Sequence, residues 1–245
     1  MSRALHEQDP TGRFSNRAAD YAASRPSYPA AAVDAVVPTG ARVAVDLGAG
    51  TGIFSNLLGD RGLRVYAVEP NPNMRAQAPP HQNVTWVDGS AERLSLHASS
   101  ADLVTCAQAF HWFQPAAALE EIAKVLRPGG RLALIWNVRD RADPFTSGYS
   151  SVVDGPQTDW KQAWESTLPV VVHDLRFEQL RASAFVYAHA MTRDGLLRRA
   201  RSASYLPPER WPEVEAQLLK WFDYYARGGK VVMRYRTEVF LAERT

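Results

Sequence analysis

The chain has 245 residues, of which 46% are apolar and 22% are charged, and its formal net charge is +2. This composition excludes a disordered or fibrous protein, and no apolar run reaches the roughly 18 to 20 residues of a membrane helix. The length favours one large domain, and Cys106 alone can form neither an internal disulfide nor a cysteine metal site. Because the first residues lack an apolar core for a signal peptide, we expect a cytoplasmic protein.

The 28 basic and 26 acidic residues nearly balance, and the basic ones are scattered along the chain. Nucleic-acid binding requires a clustered basic face, so neither nucleic acid nor membrane is an expected partner. The one dense group, Arg193, Arg198, Arg199 and Arg201, is interpreted as a solvated helix face. The remaining expected partner is a small molecule, and the protein is expected to be a monomer or a homodimer.

The N-terminal segment, residues 1–29, contains the Tyr-, Arg- and Ser-rich stretch FSNRAADYAASRPSYP and precedes a short apolar helix at 30–37. Its composition predicts a covering segment outside the core. Residues 30–245 are then expected to form a single domain, with its core at 40–137.

Short β-branched runs alternate with helical patterns from residue 42 to 137, which predicts an α/β fold with a doubly wound, Rossmann-like parallel sheet. One helix is indicated by an apolar stripe ending at Leu126. The predicted strands are 42–47, 64–69, 83–87, 101–107 and 131–137.

Beyond the core, residues 138–170 lack a clear period and predict a loop or short-helix insertion. The region 171–245 contains two extended stretches, 177–192 and 230–244, which would add strands at one edge of the sheet. Between them, Trp211 to Tyr225 carry an apolar helical face that is typical of core packing.

A glycine-rich loop follows the first strand directly in VAVDLGAGTG, with Gly48, Gly50 and Gly52 at alternate positions. Glycine allows the backbone to turn tightly and to contact a ligand. A dinucleotide loop would need a small residue at position 53, where this chain has Ile53. Together with Asp46, the spacing therefore favours a ligand that lacks phosphates and carries a cationic amine.

A carboxylate, Glu69, ends the second strand, where it could accept hydrogen bonds from both ribose hydroxyls of a nucleoside ligand. Pro70 and Met74 would then flank the adenine. Ser90 follows the third strand and is the favoured side-chain contact to the edge of the base.

The motifs VDLGAGTG, AVEP, VDGSAE, ADLVTCAQAFHWF and EIAKVLRPGGRLALIWN resemble those of class I S-adenosylmethionine-dependent methyltransferases over about residues 40–137. The resemblance implies a seven-stranded sheet of order 3-2-1-4-5-7-6 with strand 7 antiparallel. It also implies S-adenosyl-L-methionine as cofactor and S-adenosyl-L-homocysteine as product. No metal is expected, because the sequence has no HExxH motif, cysteine cluster or evident set of metal-binding carboxylates. The cofactor residues implied by position are Asp46, Gly48, Ala49, Gly50, Gly52, Glu69, Ser90, Ala91, Ala107 and Gln108.

The N-terminal stretch and the segment AQAFHWF further resemble methyltransferase type 11 proteins of the subgroup that contains trans-aconitate methyltransferase. The chain departs from the wider family at Ser90, where many relatives have Asp. The expected activity is methyl transfer to an O-, C- or N-nucleophile of a small molecule, such as a carboxylate or an aromatic natural-product intermediate. The alternatives are non-methylating chemistry on the same fold and cofactor, or a non-catalytic interaction protein.

His111 is the candidate catalytic residue, because it follows the fourth strand in AFHWF and could face the transferring methyl group. It could act as a base, or it could position the loop or the cofactor carboxylate. Trp112 and Phe113 would form wall or core.

Tyr21, Arg25 and Tyr28 combine phenolic hydroxyls with a guanidinium that can bind a carboxylate through two parallel hydrogen bonds. Tyr21 and Arg25 are expected to bind the carboxylate of the cofactor, although a substrate carboxylate is the open alternative. Tyr28 is expected to contact substrate, and the whole segment to act as a lid that excludes water.

The substrate pocket is expected between this lid, AFHWF and the insertion, with Trp136 and Asn137 in its wall. The further aromatic residues assigned to this wall are Phe145, Tyr149, Trp160 and Trp164.

Overall fold

The computed structural model describes residue 12, residues 15–154, residue 165 and residues 167–245. At its centre lies a seven-stranded sheet of order β3-β2-β1-β4-β5-β7-β6. The strands are β1 (Val43–Leu47), β2 (Arg64–Val68), β3 (Val84–Val87), β4 (Ala101–Ala107), β5 (Leu126–Arg139), β6 (Phe177–Met191) and β7 (Val231–Arg244).

Strands β1 to β5 are parallel, and β7 runs antiparallel to both of its neighbours, β5 and β6. The central strands are apolar on both faces because helices cover both sides of the sheet, and Ala44, Val45 and Leu47 of β1 are fully buried. The expected fold class and strand order are therefore confirmed.

The described helices connect the strands and cover the sheet. They are α1 (Ala18–Ser24), α2 (Ala30–Val36), α3 (Ile53–Gly59), α4 (Pro72–Arg75), α5 (Pro115–Val125), α6 (Pro144–Asp154), α7 (Leu168–Val172), α8 (Arg193–Arg201) and α9 (Trp211–Tyr225). The apolar stripe predicted for α5 is buried against the sheet, since Leu119, Ile122 and Leu126 have no exposed surface. None of the helices among the described residues has the length and apolar character needed to cross a bilayer.

Three clusters of buried side chains form the core. Two lie against the sheet, around Leu119 and around Leu58. The third joins α6, α8 and α9 to the beginning of β7 and contains Tyr149, Leu196 and Leu218. This third cluster forms a wall beside the carboxyl ends of the central strands.

The N-terminal segment is fastened to the end of α8 by Arg17. Its guanidinium donates to the carbonyl oxygens of Arg201 and Leu206, each at 3.0 Å, and to that of Ala203. Carbonyls at a helix C-terminus lack partners within the helix, so a guanidinium there satisfies them and opposes the negative end of the helix dipole. The segment between α1 and α2 is thereby held over the sheet.

The observed element boundaries lie within about two residues of most predictions, and β5 is the exception. It begins at Leu126 rather than at residue 131, because Leu126 already pairs with Ala101 before a register shift in the ladder. The insertion contains α6 and α7 in its described parts. The segment before residue 12, Trp160 and Trp164 lie outside the described residues.

Candidate cofactor and substrate pocket

The loop after β1 needs glycine for backbone geometry. Gly48, Gly50 and Gly52 all have φ between +60° and +79°, which side-chain-bearing residues rarely adopt. At Gly48 a Cβ would also lie 2.7 Å from the Cβ of Ala109. The loop therefore passes directly beneath the segment that follows β4, and a larger residue at position 48 would separate the two.

Asp46 is a buried carboxylate at the foot of this loop, with 1% of its surface exposed. One oxygen accepts from Ser55 Oγ at 2.6 Å and the other from Thr105 Oγ1 at 2.7 Å. Burial raises the pKa of Asp46 to about 6, against the opposing effect of these two hydroxyls. At neutral pH the carboxylate is largely ionised and favours a cationic group nearby.

Glu69 lies beside the glycine loop at the end of β2. Its Oε2 accepts from the amide of Gly50 at 2.8 Å, and its Oε1 accepts from the amide of Asn71 at 2.9 Å. Burial raises the pKa of Glu69 above its usual value, and the two amides oppose that shift. Each carboxylate oxygen can accept a second hydrogen bond, so a diol could still bind here.

The residues predicted at the adenine end do not line the open pocket described below, and neither do Glu69, Gly50 and Gly52. Met74 is buried, and its Cε is 3.4 Å from the position of a Cβ on Gly50. Ser90 forms a tight turn in which the amide of Arg93 donates to its carbonyl, and Ala91 is buried in the core. Pro70 is half-buried.

A pocket of about 520 Å³, including its open mouth, lies at the carboxyl ends of β1, β4 and β5. It is lined by Tyr21, Arg25, Pro26, Tyr28, Asp46, Gly48, Ala49, Thr51, Ile53, Phe54, Ala107, Gln108, Asn137, Arg199 and Tyr235. The glycine loop forms one wall, and the N-terminal segment forms another.

Ala107, Gln108 and Asn137 form the part of the wall that comes from the ends of β4 and β5. Gln108 has a φ of +58°, and its Nε2 donates to the carbonyl of Asn137 at 3.1 Å. The Asn137 side chain donates to the carbonyl of Ser27 at 3.0 Å and accepts from Thr237 Oγ1 at 2.6 Å. Asn137 thus joins the N-terminal segment to the last strand.

Tyr21, Arg25 and Tyr28 all face the pocket from the N-terminal segment. The guanidinium of Arg25 lies 4.3 Å above the ring of Tyr21, and its Nη2 donates to the carbonyl of Ser202 at 3.0 Å. Tyr28 packs edge-on against Phe54, and burial raises the pKa of its hydroxyl well above the usual value. A neutral Tyr28 can donate a hydrogen bond but is a poor base.

The prediction that Arg199 belongs to a solvated helix face is wrong. Arg199 is 6% exposed and lines the pocket. The other three arginines of that group are solvated as expected, paired with Asp223, Asp194 and Glu215. The helical spacing of the apolar residues could have indicated that Arg199 is buried. Arg199 falls between Leu196 and Ala200 on the face that packs against the third core cluster.

His111 lies outside the lining of this pocket, between two tryptophan rings. The indole N–H of Trp136 donates to His111 Nδ1 at 3.1 Å. Since an indole nitrogen only donates, Nδ1 must be an acceptor, and a neutral ring then carries its proton on Nε2. Burial lowers the pKa of His111 to about 3. This arrangement supports positioning over general-base catalysis.

Only some of the residues predicted to form the wall of the substrate pocket line the observed pocket. Tyr28 and Asn137 line it, whereas Trp112 and Trp136 do not, because Trp112 packs against the first core cluster and Trp136 is 1% exposed within it. Phe145 and Tyr149 are buried in the third cluster and likewise do not line the pocket. Tyr235 of β7 was not predicted and supplies aromatic surface instead.

Comparison with known proteins places this geometry in context. Residues 45–134 match the family described as methyltransferase domain. An uncharacterized methyltransferase-like protein of Schizosaccharomyces pombe is 32% identical over 98% of both chains. An uncharacterized methyltransferase of Mycobacterium tuberculosis is 49% identical over 131 residues, and the match spans about half of each chain, 52% of this one and 53% of that one.

Among solved structures, one described as a type II methyltransferase of Anaeromyxobacter dehalogenans has a TM-score of 0.65 at 22% identity. The superposition covers 90% of this chain and 97% of that chain, and it shows the same fold. The fold and the full-length similarity to the fission yeast protein lead to one conclusion: this chain belongs to the methyltransferase domain family, with the class I Rossmann-like architecture.

Proposed function

We propose that this protein transfers a methyl group from S-adenosyl-L-methionine to a small molecule. One observation carries the proposal: a single pocket extends from the glycine loop and Asp46 to the N-terminal segment. The loop that would bind the cofactor and the tyrosines Tyr21 and Tyr28 therefore face the same space. Methyl transfer needs a shared space because both reactants must meet in line.

Residues of the pocket and of the adjoining glycine loop fit the cofactor chemically. Asp46 offers a negative charge to the amine, and Glu69 offers acceptor positions to the ribose hydroxyls. Two buried polar atoms at the pocket, Thr51 Oγ1 and Arg25 Nε, lack hydrogen-bond partners among the described residues. A buried polar atom without a partner is costly, so both atoms favour a polar ligand. Arg25 is proposed to bind the cofactor's carboxylate.

The proposed mechanism relies on position more than on proton transfer. When bound, S-adenosyl-L-methionine supplies an already activated methyl group for in-line displacement. Tyr21 and Tyr28 exclude water above the site, while Gln108 and Asn137 fix the wall through their mutual hydrogen bond. His111 acts indirectly by holding the segment after β4 against Trp136.

The test incubates the pure protein with methyl-labelled S-adenosylmethionine and a small-molecule extract, followed by mild base treatment of the labelled products. Release of label as methanol would identify a methyl ester and therefore a carboxylate acceptor. Base-stable label would identify an ether, amine or carbon acceptor. If no extract yields labelled product, the methyl-transfer proposal is wrong.

Calorimetry with S-adenosylhomocysteine separates the alternatives. Binding without turnover would favour a protein that retains the cofactor for other chemistry, and absence of binding would favour a non-catalytic protein. The intact glycine loop and Glu69 support binding. The finer resemblance to the trans-aconitate methyltransferase subgroup stays a prediction, and the labelled product would test it directly.

A further inference from the structure

Two largely buried guanidinium groups face the same pocket. Arg25 reaches it from the N-terminal segment and Arg199 from α8. Among the described residues, neither forms an ion pair with a carboxylate. The nearby Arg139 is different, because its Nη2 binds Asp154. Buried arginines are normally paired, so two without a carboxylate at one pocket need an explanation.

The hydrogen bonds that these two side chains make are few for five donors each. Both guanidinium groups bind Ser202, Arg25 through the carbonyl at 3.0 Å and Arg199 through the hydroxyl at 3.4 Å. The Nε atoms of both are buried without a partner among the described residues. Most of their donor capacity is therefore unused in the absence of a ligand.

The charges around the two arginines also favour the binding of an anion. Burial and the adjacent Arg199 charge lower the pKa of Arg25, so the two cations disfavour one another. Of the carboxylates near the two arginines among the described residues, Asp154 is already shared by Arg139, Arg141 and Tyr205. The other, Asp46, lines the pocket but accepts from Ser55 and Thr105. An anion entering the pocket would thus relieve the repulsion and use the remaining donors.

We propose that Arg199 binds a carboxylate of the methyl acceptor, while Arg25 binds the carboxylate of the cofactor. This proposal rests on the proposed function and specifies its substrate class as small carboxylic acids. Arg199 is then a specificity-determining residue for the acceptor.

The division between the two arginines follows from their neighbours. Arg25 and Asp46 both lie within electrostatic range of Tyr28, which places Arg25 toward the glycine loop. Both arginines lie within electrostatic range of Tyr149 and Tyr205, but Arg199 alone also interacts with Tyr235, and it comes from α8, which packs in the third core cluster. A guanidinium fork fits a carboxylate through two parallel hydrogen bonds, and surrounding tyrosines exclude water from such a pair.

The test uses the full-length protein saturated with S-adenosylhomocysteine. Calorimetry measures the binding of hexanoate, benzoate and succinate, each against its uncharged amide. We expect at least one carboxylate to bind tenfold or more tightly than its amide. Arg199→Gln should lose at least tenfold of that affinity, and Arg199→Lys should recover part of it because the charge is retained.

Arg198→Gln is the matched control, because Arg198 lies next in sequence on α8 but points to solvent and pairs with Asp194 at 2.7 Å. It should bind the carboxylate as the unaltered protein does. The affinity of Arg199→Gln for S-adenosylhomocysteine reports whether this variant is folded, and we expect a change of less than threefold.

Three results would overturn the proposal. The first is that no carboxylate binds more tightly than its amide, and the second is that Arg199→Gln binds the carboxylates unchanged. The third is that the carboxylates bind the protein without S-adenosylhomocysteine but not the saturated protein, since both arginines would then serve the cofactor. If S-adenosylhomocysteine itself does not bind, the proposed function fails instead, and the two failures are distinguishable.

Discussion

At the scale of single residues, burial decides which ionisable groups can do chemistry. Asp46 keeps both of its oxygens occupied by hydroxyl donors, His111 accepts from Trp136, and Tyr28 is buried beside Phe54. None of the three is an exposed acid or base. Each is held in one orientation, which suits a reaction that depends on alignment.

Replacing Asp46 with Asn should weaken the binding of S-adenosylhomocysteine at least tenfold at pH 7.5, because the charge opposite the amine is lost. Calorimetry on the two proteins measures this. Thr105→Val is the matched control, because it removes one hydroxyl donor from the same buried carboxylate but leaves the charge in place. Unchanged affinity in Asp46→Asn would exclude Asp46 as the amine ligand.

The same substitution should change how stability depends on pH. Because the folded-state pKa of Asp46 is raised to about 6 from 3.8, the folded protein binds the proton more tightly than the unfolded chain. The free energy of unfolding of the unaltered protein, relative to Asp46→Asn, should therefore fall by about 1–3 kcal/mol between pH 4 and pH 6. Denaturant titrations at both pH values measure it, and an opposite slope would contradict the assignment.

Replacing His111 with Ala should reduce turnover of the acceptor by less than tenfold. The lone pair of Nδ1 already accepts from Trp136, and the pKa of the ring is lowered to about 3. Trp136→Phe removes the same hydrogen bond and should have an effect of similar size. A loss of 10²–10⁴ in turnover, as expected of a general base, would show that His111 is catalytic.

At the scale of elements, the pocket depends on how α1 and α8 meet. Arg17 holds the N-terminal segment to the carbonyl of Arg201, the last residue of α8, and to that of Leu206 in the loop that follows. Arg25 reaches Ser202 just beyond that helix. Two contacts at one helix end place Tyr21 and Tyr28 over the glycine loop. The lid role of this segment is still a proposal, and its attachment can be tested directly.

Replacing Arg17 with Ala should raise the dissociation constant of S-adenosylhomocysteine about three- to tenfold, because the segment would lose its anchor and spend more time away from the pocket. Chymotrypsin should also cleave faster after Tyr21, which is followed by Ala22. Arg61→Ala is the control, since Arg61 also donates to backbone carbonyls, those of Leu57 and Ala30, but it joins α3 to α2 and not the N-terminal segment to α8. Equal effects of both variants would contradict the anchoring role.

Most strands of the sheet were predicted well from the sequence. The positions of Arg199 and Tyr235 in the lining of the pocket were not. Strand β4 coincides with its predicted range, since its buried apolar run between turns has few competing interpretations. Arg199 was misplaced because four arginines within nine residues indicate a solvated face, whereas burial of one depends on α1 packing against α8. Tyr235 was missed because its pocket position requires the antiparallel register of β7.

At the scale of the whole molecule, one pocket draws on six separate parts of the chain. Ligand binding should therefore stabilise the entire fold and not only the glycine loop. S-adenosylhomocysteine at 100 times its dissociation constant adds about 2.7 kcal/mol, which predicts a rise in melting temperature of about 5–10 °C. Differential scanning fluorimetry measures this rise.

NAD is the comparison ligand, because Ile53 occupies the position where a dinucleotide loop needs a small residue. It should leave the melting temperature within about 1 °C. A larger rise with NAD than with S-adenosylhomocysteine would contradict the proposed cofactor.

The route of the chain through the pocket also has a consequence for synthesis on the ribosome. Tyr21 and Tyr28 are made early, whereas Tyr235, on the opposite wall, is made only after the first six strands. The nascent chain can form the glycine loop and β1 to β5 before the pocket has its second wall. Products that terminate ahead of β7 would hold the loop but have no closed space for an acceptor, so premature termination yields protein unable to methylate.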